Sequence, residues 1–229
     1  MTENANRPVA SRDLISESRD QFVRDTSEHA MEILRDEGIY RHLRFRKPGT
    51  VIYGFDLVTW PGYLAIVGDC GDFLFARSTD MFEFFGPNGA RGGFEDARWG
   101  INPNYWSEKL QAPRPDAARR YCYEQFCERV QEWYADVAKD LTPAAAADLG
   151  EALNERVLSP YLDAVHSEHE AHVLLRDFEH DGIRINDSWE WSLRDFDWAF
   201  LRCCWAIVYG IGKYRAEGGT RTELRGPLS

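Results

Sequence analysis

Between Asp197 and Tyr214 the chain runs almost without charge. At helical spacing Phe196, Phe200, Cys203, Ile207, Ile211 and Tyr214 fall on one side, and Trp198, Leu201, Trp205 and Val208 on another. No polar face is left, and a helix that is apolar all round is a buried one. Its one charge away from the two ends is Arg202, with Trp198 and Trp205 at helical spacing and Asp195 two turns before it. That predicts a buried cation, Arg202, stacked between indoles and paired with the Asp195 carboxylate. Near the other end of the chain, Ile15, Phe22, Met31, Ile33 and Leu34 are apolar anchors over 13–37, and Gly38 stands where a C-terminal cap would sit. The reading there is a first helix, 13–37.

From 40 to 78 three turn signatures divide runs rich in β-branched and aromatic residues. Lys47-Pro48-Gly49-Thr50 and Trp60-Pro61-Gly62-Tyr63 put Pro then Gly at the centre of type II turns, and Gly71-Asp72 suits a tight hairpin. Strands are expected at about 42–46, 52–60, 63–70 and 73–77, joined as an antiparallel meander. Alternation sets Leu43 and Phe45 on one face against His42, Arg44 and Arg46 on the other, and Tyr53, Phe55 and Leu57 against Gly54, Asp56 and Val58. With apolar residues on both faces of two strands, the sheet should be covered at least partly on both sides, once by the final helix.

Residues 81–85 read as a short helical turn. The stretch 86–114 holds five glycines and three prolines and reads as one long loop, either packed through Phe94, Trp99, Tyr105 and Trp106 or acting as a lid. Helices are expected over 115–141, from Thr142-Pro143 to about 158, and from Ser159-Pro160 to 179, ending at Asp181-Gly182. Ile183 and Ile185 suit a short strand. The fold class is therefore α+β: a four-stranded antiparallel β-meander packed against a predominantly helical C-terminal half with a buried final helix. One domain is expected over 13–215, with helices across 115–214 and disordered segments at 1–12 and 216–229.

Composition narrows the class. The 229 residues are 44% hydrophobic, ample for a core, and no run reaches the roughly 18–20 apolar residues that span a bilayer. The start is polar and acidic, unlike a signal peptide, so a cytoplasmic protein with no membrane partner is expected. Five cysteines, two of them adjacent at Cys203-Cys204, and no C-x-x-C pair favour reduced core thiols. Net charge is −11; residues 113–229 hold 21 acids against 14 Lys and Arg, a balance of −7. Such a surface repels phosphate backbones, so direct nucleic-acid binding is disfavoured, although acids spaced like phosphates could mimic DNA.

Against that background the face carrying His42, Arg44 and Arg46, with Lys47 beside it, is the local basic patch. It could hold a phosphate or carboxylate, or simply pair with acids of neighbouring helices. Trp60 as an aromatic rim, Asp69 and Arg77 complete the ligand-binding candidates. His169-Glu170-Ala171-His172 is one residue short of the zincin spacing, which leaves His169 and His172 as weak metal candidates on an outer helix face. Asp163-x-x-His166 and Asp177-x-x-His180 lie about 21 Å apart on one helix and cannot share a metal. No nucleophile elbow, P-loop or dinucleotide fingerprint is present, so no catalytic residue and no cofactor is assigned.

These residues resemble a family of uncharacterised tailed-phage and prophage proteins. The similarity rests on Gly38-Ile-Tyr-Arg-His-Leu-Arg-Phe45 with Pro48-Gly49, on Phe55-Asp-Leu-Val-Thr-Trp-Pro-Gly62, Gly68-Asp69, Phe75-Ala-Arg77, Asp80-Met-Phe82 and Phe84-Phe85. It continues with Asp177-Phe-Glu-His-Asp-Gly182, Trp189-Glu-Trp191 and Cys203-Cys204-Trp205-Ala-Ile-Val208. It spans roughly Gly38 to Tyr214, implies a phage context and a shared fold, and supplies no catalytic residues. The expected function is a non-enzymatic acidic accessory module in the host cell that binds and modulates a host or phage protein. The alternatives are a small-molecule or nucleotide-binding protein or enzyme using the basic strand face with an aromatic lid, and a DNA-mimic inhibitor.

Overall fold

The structure, a computed structural model, describes residues 13–86, 100–159 and 165–218. The segments 1–12 and 219–229, residues 87–99 of the long loop with Phe94 and Trp99, and residues 160–164 lie outside the described residues. The chain is α+β and divides into two compact units, Asp13–Ala118 with the stretch from Phe196, and Arg119–Asp195. Each unit has its own hydrophobic cluster.

The first unit opens with α1 (Leu14–Thr26), capped by the Asp13 carboxylate, which accepts from Ser16 N at 3.1 Å. The helix stops there. The expected continuation to 37 is instead strand β1 (Ala30–Glu37), joined by Gly38 and Ile39 to β2 (Tyr40–Arg46). Gly38 adopts φ 66°, a conformation that suits a tight hairpin and costs glycine little. Met31, Ile33 and Leu34 are therefore not anchors of a buried helix face, and Ile33 and Leu34 are exposed. Pairing along β2 outweighs their helical spacing.

β3 (Phe55–Trp60), β4 (Tyr63–Gly68) and β5 (Phe73–Ala76) follow, and β6 (Leu110–Ala112) adds to β5 from within the long glycine-rich stretch. The sheet thus has six antiparallel strands in the order β1-β2-β3-β4-β5-β6, where four were expected. The extra two sit at its edges: β1 is a hairpin partner of β2 whose residues also carry helical spacing, and β6 reaches β5 only across the long glycine-rich stretch. Both Pro-Gly turns form, with Gly49 and Gly62 at φ 82° and 85°. β3 begins three residues late because a second turn, Gly54 N to Val51 O at 2.9 Å, follows the first, and Tyr53 takes φ 57°. The short helix α2 (Met81–Phe85) forms as expected, and α3 (Pro103–Ser107) buries Trp106, edge-on to Phe85 at 4.7 Å.

The final helix of the chain, Trp198–Ala216, is numbered α7 below. It is buried from Phe200 to Val208 and lies on the sheet face carrying Leu43, Phe45, Leu57 and Phe75. Contact is close: a Cβ on Gly210 would meet Leu57 Cδ1 at 2.4 Å and Phe45 Cε2 at 3.1 Å. Gly210→Val should therefore lower stability by about 1–3 kcal/mol through overpacking, read as a lower urea midpoint with unchanged slope.

The single expected helix from Pro115 is divided where the first unit's stretch ends and the second unit begins. A 3-10 turn ends at Ala118, Arg119–Tyr121 forms the short strand β7, and α4 runs Tyr123–Val137. The break follows from Cys122 N, which donates to Leu193 O at 2.9 Å and so leaves the helical ladder. α5 (Pro143–Arg156) starts at its Thr142 cap as read from the sequence, and Tyr134 OH donates to Ala146 O at 2.9 Å to join α4 to α5. α6 is short, Glu168–Asp177. Asp181 and Gly182, at φ 47° and 79°, turn the hairpin of β8 (Glu179–His180) and β9 (Ile183–Arg184) rather than ending a helix. β10 (Arg194–Phe196) shares a two-stranded sheet with β7. Phe126, Val130, Leu149, Leu153 and Leu175 form this unit's core. The helical segment between residues 119 and 195 therefore makes its own core, while the sheet is covered by α7 and α1.

Candidate functional site

Three of the four basic residues of β2, His42, Arg44 and Arg46, face one acid. Register places Arg44 opposite Asp56 and His42 opposite Val58. His42 Nε2 donates to Asp56 Oδ2 at 2.7 Å, Arg44 Nη2 donates to the same oxygen at 3.0 Å, and Arg46 lies 3.9 Å from Oδ1. Burial would raise the Asp56 carboxyl, but the hydrogen bonds from Arg44 and His42 outweigh it and hold it below the ordinary carboxylate range. The expected pairing is thus present, with an acid of the adjacent strand in place of acids on helices. Alternation set Asp56 on a face of its own strand with Gly54 and Val58, but only the strand register joins that face to the basic residues.

Beside this cluster is an open groove of about 660 Å³ lined by Met31 and Glu32 of β1, Arg44 and Arg46 of β2, and the turn from Lys47 to Val51. Lys47 Nζ is paired with Glu28 at 2.7 Å. Three cations therefore meet Asp56, Glu28 and Glu32, so the groove is locally close to neutral within a chain of net charge −11. Its rim is apolar: Val51 and Ile52 are 66% and 60% exposed. Neither residue is singled out by sequence pattern, because strand-like text at 52–60 conceals the second turn.

The other candidates lie elsewhere. Trp60 stacks on Tyr63 at 5.3 Å, four residues along β3 from Asp56, or about 13 Å at the rise of a strand. Asp69 Oδ2 accepts from Tyr53 N at 2.8 Å and so fastens the 51–54 turn. Arg77 is exposed and its backbone N donates to Gly62 O.

A second cavity, about 410 Å³, is lined by Asp25, Tyr53, Asp69, Cys70, Trp198 and Arg202 among others. Arg202 Nη1 donates to Asp25 Oδ2 at 2.5 Å and Nε to Cys70 Sγ at 2.8 Å, with the Tyr53 ring 4.3 Å from its guanidinium carbon. The pairing with Asp195 and the sandwich between Trp198 and Trp205 are thus corrected: the carboxylate comes from α1, and the rings are Tyr53 and Phe22. All five cysteines are free, and burial pushes the Cys203 and Cys204 thiols well up.

His29, between α1 and β1, is buried with neither ring nitrogen hydrogen-bonded. Burial pushes its pKa down, Arg202 and Lys47 add to that, and the Tyr53 backbone and Asp25 oppose it without reversing it. A depressed imidazole contributes stability that is complete above its unfolded value of about 6.5 and is lost as pH falls towards the folded value. Thermal midpoints should accordingly drop between about pH 7 and pH 5, and His29→Gln should flatten that part of the profile.

On α6 His169 is exposed and His172 half-buried. Among the described residues, the group whose ligand atoms lie within 4.8 Å of one another is Asp148, His180 and Asp181 instead. There His180 Nε2 donates to Asp148 Oδ2 at 2.6 Å on the surface.

No family model matches the chain, and no match is found among curated proteins or solved structures. Among the described residues no helix is long and apolar enough to cross a membrane.

Proposed function

We propose that the protein is a phage-type accessory module that acts by binding a host or phage protein and modulating it, without catalysis of its own. The observation that carries this reading is the exposed Val51-Ile52 turn beside the open groove with Arg44, Arg46 and Lys47. Exposed aliphatic residues beside a groove whose charges are nearly balanced suit an apolar partner segment. Elsewhere the excess of acids keeps the surface strongly charged, so this face is the one that costs least to cover.

The test is affinity capture from host lysate with the tagged chain, an unrelated acidic protein as control, and the double variant Val51→Asp/Ile52→Asp. A protein enriched by the wild type and lost with the double variant, at unchanged thermal midpoint, is the expected result. Enrichment that the double variant retains would move the binding surface elsewhere, and no enrichment over the control would remove the support for this reading.

The groove also favours a second reading, an anionic small molecule held by Arg44 and Arg46. A thermal-shift panel of nucleotides and organic acids tests it: a specific shift abolished by Arg44→Ala supports it. Because the cations already face three acids, flat responses are the expected outcome.

A further inference from the structure

We propose that β1 is a self-association edge, on which a second copy of this chain adds its own β1 antiparallel to form a two-fold dimer. β1 is the terminal strand of the sheet, and seven of its eight residues are exposed, on both faces. Among the described residues no strand pairs with its outer edge. At its centre Ile33 and Leu34 are 44% and 41% exposed, apolar residues that the first unit's core does not use.

The order of side chains along the strand is self-complementary. Antiparallel pairing about a two-fold axis can set Glu32 opposite the partner's Arg35 and Arg35 opposite the partner's Glu32, with Ile33 and Leu34 facing each other at the centre. In a regular strand this register fails, because Glu32 and Arg35 are an odd number of residues apart and would point to opposite faces.

The register shift between Ile33 and Arg35 removes that obstacle. Glu32 pairs with Arg44 and Arg35 with His42, two residues apart on β2, so Glu32 and Arg35 share one face. By the same argument Met31, opposite Phe45, and Asp36, opposite Arg41, share the other face, and they too oppose each other in this register. Ala30 and Glu37, opposite Arg46 and Tyr40, complete the pattern.

Sliding the partner two residues sets Glu32 against the partner's Glu37, so like charges disfavour that neighbouring register. Arg35 now bonds Glu37 within its own hairpin, both side chains more than half exposed, and such a pair is readily exchanged. This dimer rests on the strand edge and not on the 51–52 turn, although Met31 and Glu32 also line the groove of the partner reading above.

Sedimentation velocity on the full chain over a wide concentration range tests the proposal. The expected result is a concentration-dependent dimer. Glu32→Arg should weaken it by about tenfold, since two symmetric pairs are lost and replaced by repulsion, and the exchange Glu32→Arg/Arg35→Glu should restore it. All the substituted side chains are exposed, and a thermal melt confirms that each variant is folded. A monomer at every concentration would overturn the proposal, the bulge and charges then serving to protect the edge. A dimer indifferent to Glu32→Arg, or one that the exchange fails to restore, would overturn it equally.

Discussion

Asp80→Ala should reduce the unfolding free energy by about 3–5 kcal/mol, a large part of the stability of an ordinary domain. Arg41 and Asp80 are 2% and 5% exposed and form two parallel hydrogen bonds, Nη1 to Oδ1 at 2.9 Å and Nη2 to Oδ2 at 3.0 Å. The guanidinium carbon also lies 4.6 Å from the Phe82 ring centroid and 5.6 Å from that of Tyr214. Removing the carboxylate takes from this buried cation the acid that it meets through two hydrogen bonds in the sheet's inner layer. It also removes the cap of α2, because Asp80 Oδ1 accepts from Phe82 N at 2.9 Å. That second loss adds about 1 kcal/mol. Arg41→Met/Asp80→Ser separates the two contributions: a serine can cap, no charge is left stranded, and most of the stability should return. Urea unfolding of the two variants decides it, and a single-variant cost under about 1 kcal/mol would mean that solvent reaches the pair.

Arg202→Met should cost about 3 kcal/mol, near the lower end for a broken buried ion pair, because the Asp25 side chain retains 12% exposure. The substitution preserves much of the packing on Phe22 and Tyr53 but leaves Asp25 with only Gln21 Nε2, at 2.8 Å. Arg202→Lys should lie between, since a single ammonium cannot serve Asp25 and Cys70 in the fixed fork of a guanidinium. Partner capture by Arg202→Met protein, at a temperature where it is fully folded, should equal that of the wild type. A folded variant that no longer captures would place α7 and the cavity at its N-terminal half within the binding site.

Some of this was legible because it is local. The Pro-Gly turns carry their own backbone geometry, and with alternation they placed β2 to β5 and grouped His42, Arg44 and Arg46 on one face. Thr142-Pro143 announced the start of α5 for the same reason. The long apolar helix needed no partner to be recognised as buried. At the candidate site the basic residues could be read, but the groove could not. It depends on the second turn at 51–54, which is held by Asp69, sixteen residues away in sequence.

The errors have a common origin. Ala30–Glu37 carries helix-compatible spacing, and only its hairpin with β2 makes it a strand. β6 is three residues long and exists because β5 offers an unpaired edge. Arg202 has an acid two turns before it, yet the acid that it meets is Asp25, 177 positions away. Sequence by itself determined the turn-bounded strands, the Thr142-capped start of α5 and the burial of the final helix, since each is encoded within one or two turns of chain. Tertiary structure alone decided the sheet's edges, the separation into two cores and the partner of every buried charge. Those depend on which distant groups are brought within hydrogen-bonding distance, and a buried charge cannot remain without one.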